Sequence, residues 1–541
     1  MRNDQDSLVD ADTDNTSIWY RDGVTSRLHL PERYAVGYFI FIAVIYLCFL
    51  FPGPEFNTFN KDDSSSFLIL GINFADSGVF SADLPGGTLR PHATWPPGFP
   101  LFLSVFLRVF GVSWFALKLC MVVLGLLNLL VVSQVLRRSR TGLLVALLTA
   151  LSPVYFLFSH VLMTEVPFML LASMVLFLVQ AKSSPRMLAT AGIIAACAFW
   201  VRGYAIAFLP ACFMFLITQF DLPLLDRLKR IGCFSVTLVL SVLLWHAYTS
   251  AVIEQGTVDT TTQIFGNGTD FAAWKEMDPP GNVITKNLRK FHWYIARLPA
   301  YFTLGVLEWE TVLQNDVWLI PSLFLLLVAL WGWILACRGR RTLLEWFVPC
   351  FIFLLFALPG KSNPRYWLLL LPFYYHYLLL GLSSSLRPVS ALAHRQILVS
   401  AFLAALCSVG LVQHLVQPDP LRFEGAIYKE LVDAGVYIKK HGNEDTVVLT
   451  SRRLGPHLVY AATQKQCRVV PDIINAFDFP ERYYILVPTK TPWDEPNDFS
   501  ASCFTRVEQG LLRVCWRGDA ICILEPHLSV GVTSPHRIAP L

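Results

Sequence analysis

Two adjacent carboxylates follow the first strongly apolar stretch of the chain. Asp62 and Asp63 stand directly before three serines, in the segment KDDSSSF. A carboxylate there can take a proton from a hydroxyl group, hold a metal ion or accept hydrogen bonds. Asp63 also lies at the start of a predicted helix, where an aspartate commonly caps the backbone. We therefore expect Asp63 to be either a catalytic base or an N-cap, with Asp62 as the alternative base or a substrate-binding residue.

Arg90 and His92 form a second polar group, just before the turn Trp-Pro-Pro-Gly at residues 95–98. The two prolines hold such a turn in shape. We expect both side chains to bind substrate. A single histidine is more often structural than catalytic, so a structural role for His92 stays open.

Glu165 supplies a further carboxylate, in the segment MTEVP at the start of an apolar stretch. An ionisable group beside a membrane span is costly unless it is paired or used, which makes Glu165 a candidate catalytic residue. The alternative is that Glu165, or Thr164 before it, caps the helix that follows, with Pro167 in its first turn.

Three cations lie beside apolar stretches in the same way. Arg202 stands between two closely linked stretches, and Lys361 and Arg365 flank a polar turn. The fork of arginine donors suits a phosphate oxygen, so we expect all three to bind substrate. The alternative is that their charged ends only reach toward the interface between lipid and water.

Composition places these residues in a polytopic membrane protein. The 541 residues are 54% hydrophobic and 15% charged, and the mean hydropathy is +0.50. Soluble domains carry about a quarter charged residues. The net charge of +4 is small and the basic residues are scattered, which argues against nucleic-acid binding. We find no glycine fingerprint of a nucleotide-binding domain.

Apolar stretches predict about 11 membrane-spanning helices. They lie at 34–52, 113–136, 141–159, 165–181, 187–201, 203–220, 231–250, 316–337, 343–359, 366–382 and 396–416. The loops rich in arginine and lysine all fall on one side when the N-terminus is cytoplasmic. The other side then holds every candidate site residue, together with the two long loops 53–112 and 251–315.

The predicted fold is thus an α-helical polytopic membrane protein with a small extracytoplasmic α/β domain. Residues 1–33 form a cytoplasmic tail, 34–416 the membrane domain and 417–541 the α/β domain. Within the first outer loop, an amphipathic surface helix is predicted at 64–77, ended by Gly78. A second interfacial or re-entrant helix is predicted at 99–110. The α/β domain is expected to contain a helix near 421–440 and strands at 446–450 and 483–487.

Four of the twelve cysteines lie in the last polar stretch. An oxidising compartment would allow two disulfides among Cys467, Cys503, Cys515 and Cys522, and free thiols are the alternative. No CxxC pair or histidine-rich spacing indicates zinc. A divalent metal is left open, and no other cofactor is expected.

In these features the chain resembles the polytopic glycosyltransferases of the GT-C class. The resemblance is to the branch of protein O-mannosyltransferases, bacterial transferases that add aminoarabinose to lipid A, and rhizobial galacturonosyltransferase-like proteins. Its motifs are Asp63 with Phe67, Gly78 to Phe80, Pro97 to Leu103, Ser152-Pro153 with Thr164-Glu165, and Arg365-Tyr366 with Leu371-Pro372. Phe67 stands where tyrosine is more usual, which keeps the ring and removes its hydroxyl.

The resemblance implies a sugar donor linked to polyprenyl phosphate and an acceptor hydroxyl at the outer face. Asp63 would be the catalytic carboxylate, Glu165 the second acidic residue and Arg365 a cation near the phosphate. The acceptor is a glycolipid, a polysaccharide or a protein. A bacterial inner membrane is the expected location. Two alternatives stay open, namely a lipid or polysaccharide transporter and a non-catalytic scaffold for envelope assembly.

Overall fold

The structure of the protein is a computed structural model, and most of the membrane domain is described. The described residues are 32–48, 50, 61–82, 89–93, 95–137, 141–179, 184–254, 295–303, 316–339, 342–357, 364–385, 403–409, 411–412, 433–438, 440–441, 447–450, 467–469, 483–488, 507, 509, 512–517 and 521–526.

Helices dominate the described part of the chain. They are α1 (Glu32–Cys48), α2 (Lys61–Ser77), α3 (Gly98–Phe110), α4 (Trp114–Val135), α5 (Gly142–Leu151), α6 (Pro153–Phe158), α7 (Glu165–Leu178), α8 (Pro185–Val201), α9 (Phe208–Ile217), α10 (Leu224–Glu254), α11 (Leu298–Thr303), α12 (Leu319–Arg338), α13 (Leu343–Ala357) and α14 (Leu371–Ser385). Short 3₁₀ helices lie at Gly203–Ala207, Asp316–Trp318 and Pro364–Leu370.

Several helices are long and apolar enough to cross a bilayer. Among the described residues these are Phe115–Val135, Leu224–Val252, Leu319–Arg338 and Arg365–Ser385. Shorter apolar helices occupy the other predicted spans within the described ranges. The protein is an integral membrane protein. The total of about 11 spans stays a prediction, because only 403–409 and 411–412 of the last predicted span are described.

One predicted span is interrupted, and two others begin with a 3₁₀ turn. The span predicted at 141–159 divides into α5 and α6 at Ser152, whose backbone is extended (φ −65°, ψ 122°) before Pro153. Proline lacks a backbone N–H, so it fits the first turn of a new helix. The spans predicted at 203–220 and 366–382 begin instead with 3₁₀ turns. The first of these turns directly follows Arg202, and the second contains Arg365.

Helix α2 is not the surface helix that its apolar spacing suggested. Leu68, Ile69 and Leu70 are 0% exposed, so its middle is enclosed on every side. A Cβ atom on Gly71 would lie 3.1 Å from Cβ of Leu103, so α2 and α3 approach closely. Gly78 ends the helix as expected, with a φ of 71° that glycine adopts without strain.

Helix α3 begins against the end of α8. A Cβ atom on Gly98 would lie 2.6 Å from the backbone carbonyl of Trp200. A side chain is therefore excluded at this position, which explains why glycine follows the two prolines. The turn at 95–98 consequently abuts the backbone of Trp200, which precedes Arg202 by two residues in sequence.

Glycines also bring the long helices together. Gly332 of α12 faces the backbone carbonyl of Tyr377 in α14, and Gly381 of α14 faces that of Val328 in α12. A Cβ atom at either glycine would overlap the opposite backbone. In a bilayer the hydrophobic effect does not drive helices together, so association depends on close packing of the kind that these small residues allow.

Part of the predicted outer loop 251–315 is buried. Helix α11 is buried along its whole length. The carbonyl of Phe302 accepts hydrogen bonds from Tyr375 Oη (2.7 Å) and Ser152 Oγ (3.3 Å). The backbone N–H of Ala300 donates to Ser322 Oγ at 3.1 Å. This stretch is too short to span a bilayer, and for that reason hydropathy alone did not separate it from a surface loop.

The C-terminal part contains a five-stranded mixed sheet. Its strands are β1 (Val447–Thr450), β2 (Cys467–Val469), β3 (Tyr483–Pro488), β4 (Leu512–Arg517) and β5 (Ile521–Pro526). Their order is β2-β1-β3-β5-β4, with parallel pairing of β1 to β2 and β3, and antiparallel pairing of β5 to β3 and β4. The two strands predicted from sequence correspond to β1 and β3.

Candidate active site

The structure brings Glu165, Arg202 and Arg365 together, although they are far apart in sequence. Oε1 of Glu165 lies 2.8 Å from Nη1 of Arg202. The same oxygen lies 3.6 Å from Nε of Arg365. The carboxylate side chain is 2% exposed, and the two arginine side chains are 16% and 15% exposed. A buried carboxylate is thus held between two cations whose ends still reach the surface.

Each of the three residues lies where a helix begins or ends. Glu165 is the first residue of α7, and Arg202 follows the last residue of α8 with an extended backbone (φ −155°, ψ 122°). Arg365 lies in the 3₁₀ helix that precedes α14. The cluster therefore occupies one end of the helix bundle rather than its middle. Thr164 occupies the N-cap position of α7 without a side-chain cap hydrogen bond, and the side chain of Glu165 pairs with the arginines instead.

Two tyrosine rings lie against the arginines. The guanidinium carbon of Arg202 is 4.9 Å from the ring centre of Tyr366 and 5.4 Å from that of Tyr204. The guanidinium carbon of Arg365 is 5.3 Å from the Tyr366 ring. A cation over an aromatic face is stabilised by the electron density of the ring. Sequence analysis named Tyr366 only as part of the Arg365-Tyr366 motif and gave neither tyrosine a role, because aromatic residues are common at the ends of membrane helices.

A small pocket of about 10 Å³, the space of about one water molecule, lies beside the cluster. One part of its wall is charged or aromatic, with Glu165, Arg202, Arg365, Tyr204 and Tyr366. The remaining wall is apolar and consists of Phe168, Met169, Leu368 and Leu369. The chemistry of this lining, rather than the volume of the pocket, suits a ligand that carries an anionic group on an apolar chain.

The charges of the cluster do not cancel. Burial by itself would lower the pKa of Arg202, but the adjacent Glu165 carboxylate holds that pKa above its ordinary value. Both arginines are charged at neutral pH, and among the described residues that line the pocket Glu165 is the one carboxylate. The excess positive charge favours an anion in the pocket.

Arg90 and His92 are not among the described residues that line this pocket. Arg90 is exposed. Nε2 of His92 accepts a hydrogen bond from the backbone N–H of Trp95 (3.2 Å), and its carbonyl accepts one from Tyr248 Oη (3.0 Å). The His92 ring also packs on the Trp95 ring, with centres 5.1 Å apart. These contacts favour the structural alternative for His92, which holds the turn at 95–98.

The side chains of Asp62 and Asp63 and the whole of Lys361 lie outside the described residues. The backbone of both aspartates belongs to the first turn of α2. One turn later, Phe67 packs its ring 5.1 Å from that of Trp95 and 5.5 Å from that of Phe99. Gly98, beside Phe99, abuts the backbone of Trp200. Packing thus connects the start of α2 with the chain segment that carries Arg202.

Two further predictions concern metals and cysteines. Within the described residues, no group of three histidine, cysteine, aspartate or glutamate side chains fits a metal ion. Cys515 is a free thiol that donates to the carbonyl of Ile523 at 3.3 Å. The side chains of Cys467, Cys503 and Cys522 lie outside the described residues.

Comparisons with known proteins agree with the predicted fold. Residues 94–246 match the family model described as dolichyl-phosphate-mannose-protein mannosyltransferase. The structure is similar to the crystal structure of apo ArnT from Cupriavidus metallidurans, with a TM-score of 0.58, 13% identity and coverage of 91% of this chain and 98% of that chain. A search of curated protein sequences found no match.

The same similarity holds for ArnT from Cupriavidus metallidurans bound to undecaprenyl phosphate. That comparison has a TM-score of 0.59 at 13% identity and covers 92% of this chain and 99% of that chain. At this identity the likeness concerns the fold. The expected fold class, a GT-C polytopic membrane protein, is confirmed.

Proposed function

We propose that this protein transfers a sugar from a polyprenyl-phosphate donor to an acceptor hydroxyl at the extracytoplasmic face of a bacterial inner membrane. The observation that carries this proposal is the cluster of one buried carboxylate and two arginines in a partly apolar pocket. Its excess positive charge complements a phosphate, and its apolar wall complements the attached lipid chain. In this orientation the N-terminus is cytoplasmic and the C-terminal sheet is periplasmic.

The comparisons support the class of donor. The similar ArnT structure holds undecaprenyl phosphate, which is a phosphate on a polyprenyl chain. The matching family model is named for dolichyl-phosphate-mannose, a sugar on the same kind of carrier. Glycolipid, polysaccharide and protein acceptors all fit this donor chemistry.

The proposed reaction is a single displacement. The acceptor oxygen bonds to the anomeric carbon while the bond from that carbon to the phosphate oxygen breaks. The acceptor proton passes to the carboxylate of Asp63, which lies in the first turn of α2. Polyprenyl phosphate leaves with the bonding electrons, and Arg365 and Arg202 stabilise its negative charge. One displacement inverts the configuration of the anomeric carbon.

Glu165 has a positioning role in this proposal. Its carboxylate is 2% exposed and lies within 3.6 Å of both arginines. Its Oε1 faces both arginines and its Oε2 accepts a hydrogen bond from the Thr164 hydroxyl at 3.5 Å, so both carboxylate oxygens are already engaged. We therefore assign the proton transfer to Asp63 and the orientation of Arg202 and Arg365 to Glu165.

The two alternatives make different demands on the chain. A transporter needs charged groups near the middle of the bilayer in two matching halves. The described cluster lies instead at the ends of helices. A scaffold that only assembles other proteins would leave Asp63 and Glu165 dispensable, and mutation tests that directly.

Sugar transfer by the purified protein tests the proposal. In nanodiscs with a polyprenyl-phosphate sugar and acceptor glycolipid, Asp63→Asn should reduce transfer by at least about 10³-fold while the protein still folds. The matched control is Asp76→Asn, at the exposed end of the same helix, which should transfer sugar at the wild-type rate. Undiminished transfer by Asp63→Asn would exclude Asp63 as the base.

A further inference from the structure

Tyr366 contacts both arginines of the site with a single ring. The ring centre lies 4.9 Å from the guanidinium carbon of Arg202 and 5.3 Å from that of Arg365. Both cations also contact the same oxygen of Glu165. One carboxylate oxygen and one aromatic ring therefore each contact both cations.

The ring of Tyr366 is itself held by its neighbours. Trp367, the next residue, is 1% exposed and packs on Phe356 of α13 with ring centres 6.1 Å apart. The Tyr204 ring lies 5.4 Å from the Tyr366 ring and 6.4 Å from that of Phe351, also in α13. The aromatic packing extends from the buried face of α13, which contains Phe351, to the charged cluster, so the support is rigid.

The two guanidinium groups repel each other unless something holds them. Glu165 neutralises one positive charge, but it contacts Arg365 only through Nε at 3.6 Å. An aromatic face attracts both cations and constrains the plane of each group. A flat, fixed guanidinium can present its donors to a phosphate without first losing side-chain freedom.

We propose that Tyr366 is a positioning residue of the donor site, which orients Arg202 and Arg365 toward the phosphate of the lipid carrier. This inference rests on the proposed function, because it assumes that the pocket binds a polyprenyl phosphate. The ring performs this role and the hydroxyl does not. Tyr204 supports Arg202 alone, so its contribution is smaller.

Binding of undecaprenyl phosphate in nanodiscs tests the inference. Tyr366→Leu removes the ring and should weaken binding about tenfold, equivalent to about 1.4 kcal/mol. Tyr366→Phe keeps the ring and should bind within about twofold of the wild type. In the transfer assay, Tyr366→Leu should raise the KM for the donor more than it lowers kcat, because the ring acts on donor binding and not on the transfer step.

Tyr374→Leu is a matched control with the same substitution in the following helix. Tyr374 hydrogen-bonds Thr303 at 3.1 Å and does not line the pocket. The Tyr374→Leu variant should be less stable than the wild type, and its folded fraction should bind the lipid with wild-type affinity. If Tyr366→Leu fails to fold, Tyr204→Leu replaces it and should weaken binding about threefold.

The outcomes separate this inference from the function on which it rests. Wild-type affinity in Tyr366→Leu, or in Tyr204→Leu when that variant replaces it, would refute the positioning role and leave the proposed function intact. A loss in Tyr366→Phe as large as that in Tyr366→Leu would refute it also, because the hydroxyl would then be responsible. Absence of binding by the wild-type protein would overturn both proposals together.

Discussion

Replacement of Glu165 by glutamine removes the one negative charge of the cluster while preserving the shape of the side chain. Arg202 and Arg365 would then lose the carboxylate that they share, which is 2% exposed. We expect Glu165→Gln to lower both the stability of the protein and its affinity for the lipid donor. The stability effect follows from the two ion-pair distances.

The size of the effect can be worked out from Coulomb's law. At an effective dielectric constant of about 20, the contact at 2.8 Å is worth about 6 kcal/mol and that at 3.6 Å about 5 kcal/mol. Desolvation and the repulsion between the arginines offset much of this. Breaking a buried ion pair by removing one partner costs about 3–5 kcal/mol, and we expect a loss of about 3 kcal/mol in the free energy of unfolding.

Denaturant unfolding in a fixed detergent measures this loss. Asp226→Asn is the matched control, because Asp226 forms an exposed pair with Lys229 at 4.0 Å and its removal should cost less than about 1 kcal/mol. The double variant Glu165→Gln, Arg202→Gln should be less destabilised than the sum of the single variants. A change below about 1 kcal/mol in Glu165→Gln, or strict additivity, would refute the view that the cluster is a coupled buried ion group.

Three further predictions concern packing and the phosphate contact. Gly98→Ala places a Cβ atom against the backbone of Trp200. The turn must then move, so the rate of sugar transfer should fall at least about tenfold. Transfer at the wild-type rate would contradict this packing. Gly332→Leu forces α12 away from the carbonyl of Tyr377, so the yield of folded protein on size-exclusion chromatography should fall. Arg365→Gln should raise the KM for the donor about 10–100-fold and change the KM for the acceptor less than threefold. Equal changes in the two KM values would show that Arg365 does not contact the donor phosphate.

The charged part of the site could be predicted from the sequence for a simple physical reason. Glu165, Arg202 and Arg365 adjoin apolar stretches, where an unpaired charge is too costly to persist. The alternating basic loops placed all three on one side of the membrane. The structure shows that these three side chains meet, and the expected convergence of Asp63 with Glu165 and Arg365 stays a prediction.

Other parts of the site could not be predicted, because the sequence does not show which partners surround a residue. Tyr204 and Tyr366 have the ordinary appearance of interfacial aromatics. The spacing of apolar residues in α2 predicted a helix correctly but did not reveal that Leu68 to Leu70 are enclosed on all sides. The buried helix α11 is too short to differ from a loop by hydropathy.

The central claim is that the cluster of Glu165, Arg202 and Arg365 binds the phosphate of a polyprenyl carrier. Electron cryomicroscopy of the protein in nanodiscs with undecaprenyl phosphate tests this claim most directly. We predict density for the phosphate within about 4 Å of the Arg365 guanidinium and density for the lipid chain along Phe168 and Leu369. Phosphate density elsewhere on the protein, with the pocket beside Glu165 closed to lipid, would contradict the claim.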